Sequence, residues 1–392
     1  MPFAASCRVL IILPLLLFTT TNIFSQQPTA SPAPSPSPSP AIDQDTIRTV
    51  TEEVQLTVTA LDGNDRLDPT LELADILVLE DRVAQELTSA RRVPAHVLIL
   101  LDTGGEINSA KRVRLTREIA RNLVTNLNPH DEVSIMQFNN KVEVLQNWTI
   151  DRQALLQALD TKVMSGKRAR FFDALMASAT HLDDRPQGNR QVVMITDGVQ
   201  SPGERVDRDA ALKRLQASNA VVHVISYTVF SQPATTHDRK LTRNRDKSLV
   251  PDEVVESLPR TPDYDALRRA HEPGGVIVDL DPERRKRIKQ YEEAMRASEK
   301  QLNAIAEESG GRMWLPESAA AMIEDGANAA RLIDSQFVVT YKPRRPLATA
   351  REGEVRRIEV ASRRVGLNLV SRRQFVVPGV SVSEGRARRV KP

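Results

Sequence analysis

Cysteine is almost missing from this chain: of 392 residues, Cys7 is the single one. It precedes the apolar stretch Val9 to Phe18, so a chain processed after that stretch has no cysteine at all. Disulfides, Cys-based zinc sites and Cys nucleophiles are thereby excluded. Histidine is scarce as well, and His96, His130, His181, His223, His237 and His271 stand at no metal-ligand spacing. The Gly-x-Ser-x-Gly, His-Glu-x-x-His and Gly-x-x-x-x-Gly-Lys-Ser/Thr signatures do not occur, which makes a hydrolase the weakest of the function classes considered. Long apolar runs are lacking too. Val9 to Phe18, interrupted by Pro14 and preceded by Arg8, falls short of the roughly 20 residues a spanning helix needs. It fits a secretory signal peptide at 1–25, cleaved after Ser25, and no membrane span is expected afterwards. An exported chain without disulfides points to a bacterial periplasmic or secreted protein.

What is present divides the chain. Residues 26–48 are rich in Ser-Pro and Ala-Pro and are expected to form an extended linker. Thr49 to Leu87 holds alternating runs, Val54 to Thr59 and Ile76 to Leu79, with the turn signal Asp62-Gly63-Asn64-Asp65 between them, so 49–92 is an N-terminal β segment. From Ala95 strands and helices alternate. Strands are expected at 95–101, 132–138, 142–146, 190–196 and 221–228, and helices at 108–127, 151–159, 172–182 and 207–218. Such units specify an α/β fold with a Rossmann-like, doubly wound, mostly parallel sheet. Residues 230–280 break the pattern as a long polar insertion. A charged helix at 282–308, a short strand at 312–315 and a helix at 317–333 follow. Residues 335–378 alternate again, at 336–341, 355–361 and 367–377, and the two flanking β segments are expected to form a small β module. Residues 379–392 are a basic tail.

The net charge of +3 decides nothing, but from Arg331 onward basic residues, among them Arg356, Arg357, Arg364, Arg372 and Arg373, outnumber acidic ones. They form either a surface for anionic partners or paired arginines on the solvent faces of strands. Export argues against nucleic acid.

Three loops carry the chemistry. Ala95 to Leu101 delivers Asp102 into Thr103-Gly104-Gly105-Glu106. Ser165 to Arg170 leads into Phe171-Phe172-Asp173-Ala174-Leu175. Gln191 to Thr196 delivers Asp197-Gly198. In a parallel sheet, loops at the carboxyl ends of strands converge on one crevice, which makes Asp102 and Asp197 neighbours. This ordered set resembles the von Willebrand factor type A domain over about Val93 to Asp334. Ala304 to Arg312, with the strands that follow, is similar to the exported bacterial proteins called VWFA-related.

The resemblance implies a metal-ion-dependent adhesion site of the form Asp-x-Ser-x-Ser, a Thr in the second loop, and the Asp of Thr-Asp-Gly. Asp102 and Asp197 match; Gly104 and Glu106 replace the serines, and Ala169 replaces the Thr. Three readings stand: a degenerate site with Lys167, Arg168 or Arg170 supplying the counter-charge, a site rebuilt with Glu106 as ligand, or an ordinary site. The candidate metal residues are Asp102, Glu106 and Asp197, and any ion is Mg²⁺ or Mn²⁺ held weakly, with no certain cofactor. The expected function is non-enzymatic recognition of a protein or cell-envelope polymer. Its contact residues would be Thr103, Gly104, Gly105, Lys167, Arg168, Arg170 and Gly198. The alternative is an envelope scaffold that binds anionic surfaces through the basic C-terminal strands.

Overall fold

The computed structural model describes residues 53–105, 109–201, 203, 206–230, 242–243, 276–277 and 282–378. The expected signal peptide, linker and basic tail, most of the 230–280 insertion, and Glu106 lie outside the described residues. By its contacts the chain forms two units, 1–50 and 51–392, and everything below concerns the second.

The flanks come first in the chain. They supply β1 (Val54–Leu61), β2 (Ile76–Glu80), β3 (Val83–Ala84) and β4 (Glu86–Arg91). Then β5 (His96–Asp102) opens the alternating part. It continues through α1 (Ser109–Asn126), β6 (Glu132–Phe138), β7 (Val142–Thr149), α2 (Arg152–Lys162), α3 (Phe171–Leu182), β8 (Arg190–Thr196), α4 (Arg208–Ala217) and β9 (Val221–Ser226). Inside the insertion β10 (Thr242–Arg243) pairs with β11 (Val276–Ile277). The helix α5 (Pro282–Ser309), β12 (Met313–Trp314) and α6 (Ala319–Ser335) complete this part.

The central sheet has the order β12-β9-β8-β5-β6-β7, parallel throughout except for the antiparallel outer strand β7. Both faces are covered, so β8 and β9 are buried at every position, their polar members Arg190, Gln191, Thr196, His223 and Ser226 included. On one face Val97, Ile99, Leu101, Val133, Ile135 and Val193 pack with α1, α2 and α6. On the other Leu98, Leu100, Met136, Phe138, Val192 and Met194 pack with α3, α4 and α5. Local chemistry sets the helix starts. The Asp151 side chain accepts from the Gln153 and Ala154 N–H groups, Asp207 from Ala210 and Ser318 from Ala321.

The chain then returns to its start. β13 (Phe337–Lys342), β14 (Val355–Ser362), β15 (Asn368–Ser371) and β16 (Gln374–Val376) join β1 to β4 in two four-stranded sheets, β15-β1-β13-β4 and β16-β14-β2-β3. Each sheet draws strands from both ends of the chain. Leu56, Val58, Ile76, Val78, Val339, Tyr341, Ile358 and Phe375 form their common core. The stretch 367–377, expected as one strand, is two: the chain leaves one sheet after Ser371 and enters the other at Gln374.

The reason lies at the break. Arg372 turns inward, 4% exposed, and its Nη1 donates to Asn219 Oδ1 at 2.9 Å. Asn219, in the left-handed region with φ 53°, also accepts from the Val376 N–H and donates to the Val376 carbonyl. Gly310 (φ 78°) ends α5 against this corner, where a Cβ would lie 2.5 Å from the Ser371 carbonyl carbon. The second inward arginine is Arg356, fully buried, with Nη1 2.8 Å from Glu80 Oε1; Glu80 Oε2 accepts from the Tyr341 hydroxyl at 2.8 Å. Burial and the adjacent Glu80 push the Tyr341 hydroxyl far above its ordinary pKa, so it remains a donor. Removing one partner of such a buried pair costs about 3–5 kcal/mol.

Candidate functional site

The carboxyl ends of β5 and β8 lie side by side, with Leu101 opposite Ile195 in register, so Asp102 and Asp197 arrive together as the sequence implies. Both are buried. Asp102 Oδ2 accepts from Thr196 Oγ1 at 2.7 Å and Oδ1 from the Gly104 N–H at 3.1 Å; its backbone carbonyl accepts from the Tyr227 hydroxyl at 3.2 Å. Asp197 Oδ1 accepts from the Val199 N–H at 2.9 Å. The hydroxyl of Ser298, on α5, donates to the Asp197 backbone carbonyl. Gly198 has φ 65°, and a Cβ there would sit 2.9 Å from Leu302 Cδ1.

The other loops close over this corner. Thr103 is buried; its N–H donates to the Phe138 carbonyl at 3.0 Å, and its own carbonyl accepts from the Gly166 N–H at 2.9 Å. Asn139 Nδ2 bridges Thr103 Oγ1 (3.1 Å) and the Met164 carbonyl (3.0 Å). Asn140 Oδ1 takes the Arg168 N–H at 3.0 Å. Ala169 and Ser201 exchange two bonds: N–H to Ser201 Oγ at 2.8 Å, and Ser201 N–H to the Ala169 carbonyl at 3.0 Å. Arg170 precedes α3 without a side-chain cap. Gln200 supplies one from the third loop, its Oε1 accepting from Phe171 N–H at 2.7 Å and Phe172 N–H at 3.3 Å. Asp173 lies in the first turn of α3 with Oδ2 buried and unbonded, where the helix N-terminus favours a negative charge.

At Gly104 the first and second loops are in close contact. A Cβ there would fall on the Arg168 carbonyl oxygen, with the Arg168 carbonyl carbon and Ala169 Cα at 2.7 and 2.8 Å. The second-loop backbone thus fills the space from which a serine hydroxyl at this position would reach an ion. No group of three His, Asp or Glu side chains able to hold a metal occurs among the described residues. Glu106, the remaining candidate ligand, lies outside the described residues.

Of the expected contact residues, Lys167 and Arg168 are exposed and Gly105 and Arg170 half-buried, whereas Thr103, Gly104 and Gly198 lie buried beneath the rim. Gln200, Ser201, Asn139, Asn140 and Ser298 were not anticipated. The bonds described for them above reach across 25 to 101 positions of sequence, and no local pattern marks them.

His181 is half-buried. It stacks on Trp148 at 5.1 Å and 10°, and its Nε2 meets Ser134 Oγ at 2.9 Å, while Asp183 pairs with Arg214. This serine is fully buried and its hydroxyl bonds the Gln146 carbonyl, so no substrate reaches it. The basic residues of the C-terminal strands divide: Lys342, Arg344, Arg351 and Arg363 are exposed, and others are buried or paired. Arg356 and Arg372 are inside, Arg345 pairs with Asp81 and Glu354, Arg357 with Glu359, Arg364 with Asp68 and Asp75, and Arg373 with Glu307.

Residues 97–200 match the family model of the von Willebrand factor type A domain. No curated protein matches the chain. Among solved structures it is similar to an aerotolerance-related membrane protein from Bacteroides fragilis, with 18% identity over 60% of this chain and 98% of that one (TM-score 0.34). It is similar to the conserved hypothetical protein BatB from Bacteroides thetaiotaomicron at 16% identity over 61% and 98% (TM-score 0.33). A von Willebrand factor type A protein from Catenulispora acidiphila shares 8% over 84% and 74% (TM-score 0.38). With its six-stranded sheet and the Asp102–Asp197 corner in place, the chain carries a von Willebrand factor type A domain, a kind of domain that serves adhesion and protein interaction, matched at residues 97–200.

Proposed function

We infer that this protein is an exported, non-enzymatic recognition module whose loop crown binds a partner without a metal ion. The observation that carries this reading is the seat of Gly104 under the Arg168 carbonyl. In the family site, an ion bridges three loops. Here the Thr196–Asp102 bond joins the first loop to the third, Gly166–Thr103 the first to the second, and the Ala169–Ser201 pair the second to the third. The hydrogen bonds occupy the role of the ion, and the crown is assembled before any partner arrives, which reduces the ordering cost of binding. The contacts left to a partner are then the exposed Lys167 and Arg168 with the backbone around Gly105. The leader-like start of the sequence and its lack of cysteine support a periplasmic or secreted location.

Calorimetric titration of the protein with Mg²⁺ and Mn²⁺, beside an Asp197→Ala control, tests the reading. The expected result is no saturable heat in either protein. Saturable binding abolished by the substitution would mean that Glu106 rebuilds the site, and metal-dependent recognition would replace this proposal.

A further inference from the structure

Away from the crown's centre, β7 is the outer strand of the six-stranded sheet, and among the described residues no strand pairs with its far side. Its ladder with β6 is irregular, with register shifts around Ile135. Beside its crown end lies an open groove of about 560 Å³, lined among others by Gln137, Asn139, Lys141, Val144, Lys162 and Met164. Apolar side chains stand in solvent here: Val144 is 43% exposed and Met164 64%. Cations frame them. Lys162 is exposed, its ammonium donating to the Leu145 carbonyl at 2.8 Å, and two residues beyond the lining residue Ser165 the chain reaches the exposed Lys167 of the crown. The carboxylate in the lining, Glu143, is already taken up by Lys141 and Gln137.

We propose that the β7 edge and this groove bind an extended acidic segment of a partner polypeptide, which adds to the sheet as a seventh strand. A strand edge offers a row of backbone donors and acceptors, and an extended polypeptide is the ligand that satisfies such a row. Val144 and Met164 take the apolar side chains on alternate positions of the incoming strand, and Lys162 and Lys167 take carboxylates. The same lysines disfavour a second copy of β7, because pairing two such edges would bring ammonium against ammonium. This surface goes beyond the crown reading and meets it only at Lys167; its test is separate, since heat on adding Mg²⁺ would overturn that reading and leave this one standing.

Fluorescence anisotropy of the protein with a labelled, acetylated (Glu-Val)₄ peptide reads the proposal. Saturable binding is expected, weakened about tenfold by Lys162→Glu combined with Lys167→Glu, since each replaces an attractive rim charge by a repulsive one. Both positions are exposed, but Lys162→Glu also removes the bond to the Leu145 carbonyl, so Lys167→Glu alone, which should weaken binding in the same direction, and an unchanged melting temperature of the double variant separate charge from fold. A (Glu-Pro)₄ peptide keeps the charge and removes every second N–H, and it should not bind. Equal binding of (Glu-Pro)₄ would reduce the surface to charge alone and overturn strand addition. No saturable binding of (Glu-Val)₄, or binding only of phosphatidylglycerol vesicles, would overturn it as well, the latter in favour of a lipid.

Discussion

At the carboxyl ends of the parallel strands the domain buries carboxylates, Asp102 and Asp197; at the opposite ends it buries guanidinium groups, Arg190 and Arg372. The two ends share one sheet and one core; the base also buries the Asp131 carboxylate, which accepts from the Ala95 and Asn128 N–H groups, so what sets the base apart is its buried guanidinium groups. Topology explains this. In each β-α-β unit the helix runs back against the strands, so α3 and α4 begin at the crown and end at the base. Helix N-termini carry partial positive charge and C-termini partial negative charge. Carboxylates at the crown therefore meet N–H donors, as Asp102 does from Gly104 and Asp197 from Val199. Arginines at the base meet carbonyls: Arg190 bonds those of Pro186 and Ser218, and Arg372 that of Asn219. Burial still disfavours the base cations. Arg372 is pushed down to about 10, chiefly by desolvation and then by the neighbouring Arg190. A parallel sheet thus gathers helix N-termini at one end and C-termini at the other, and this protein uses the second to fasten its β module.

The comparison breaks most visibly at the base. Arg372→Ala should empty a buried side-chain volume and leave Asn219 Oδ1 and its carbonyl short of a donor, at a cost of about 3–5 kcal/mol read by urea denaturation. A loss under about 1 kcal/mol would mean the base arginine is not a fastening point.

A position between the two ends sharpens the contrast. His223 sits inside β9, fully buried, with Nδ1 accepting from the Arg312 N–H and Nε2 without a hydrogen bond. Burial, with Arg312 second, pushes it from its usual 6.5 down to about 3. The unfolded chain takes up that proton near 6.5 while the folded chain resists it. Stability should therefore fall as pH drops through that window, by about 3 kcal/mol on reaching pH 4. His223→Asn, which keeps an acceptor, should flatten this part of the acid limb in a melting series, and an unchanged limb would count against it.

At the crown the effect is smaller. Gly104→Ser must displace the Arg168 carbonyl, an overpacking cost of about 1–3 kcal/mol, and Mg²⁺ should not restore the lost melting temperature. Restoration by Mg²⁺ would show that the crown retains a working ion site once the hydroxyl is returned.

Much of the fold was legible because parallel strands buried on both faces leave continuous apolar runs: β6 and β8 fall on the residues expected, and α5 and α6 within two residues of them. The short strands β3 and β4 were missed, since Val83–Ala84 and Glu86–Arg91 are mostly exposed and leave little alternation to read. Arg356 and Arg372 looked like solvent-facing charge because their partners, Glu80 and Asn219, lie 276 and 153 positions away. The same holds for the site. Asp102 and Asp197 were visible as strand-end carboxylates, but the closure of the crown depends on Gln200, Ser201 and Asn139, whose roles exist only after folding.

The interleaving of the two flanks sets an order of events. Val54 pairs with Tyr341 and Val58 with Ser371, so β1 leads the folded region yet has no partner until nearly the whole chain has followed it. Contacts of such sequence separation are slow to form, because the loop between them must close first. The central domain shortens that search. Once it has folded, β4 stops just before β5 and β13 starts just after α6, and Arg91 stands opposite Val338. A chain halted before residue 337 would hold a finished α/β domain beside orphaned β strands, and its exposed edges would make it a natural target for proteolysis and aggregation.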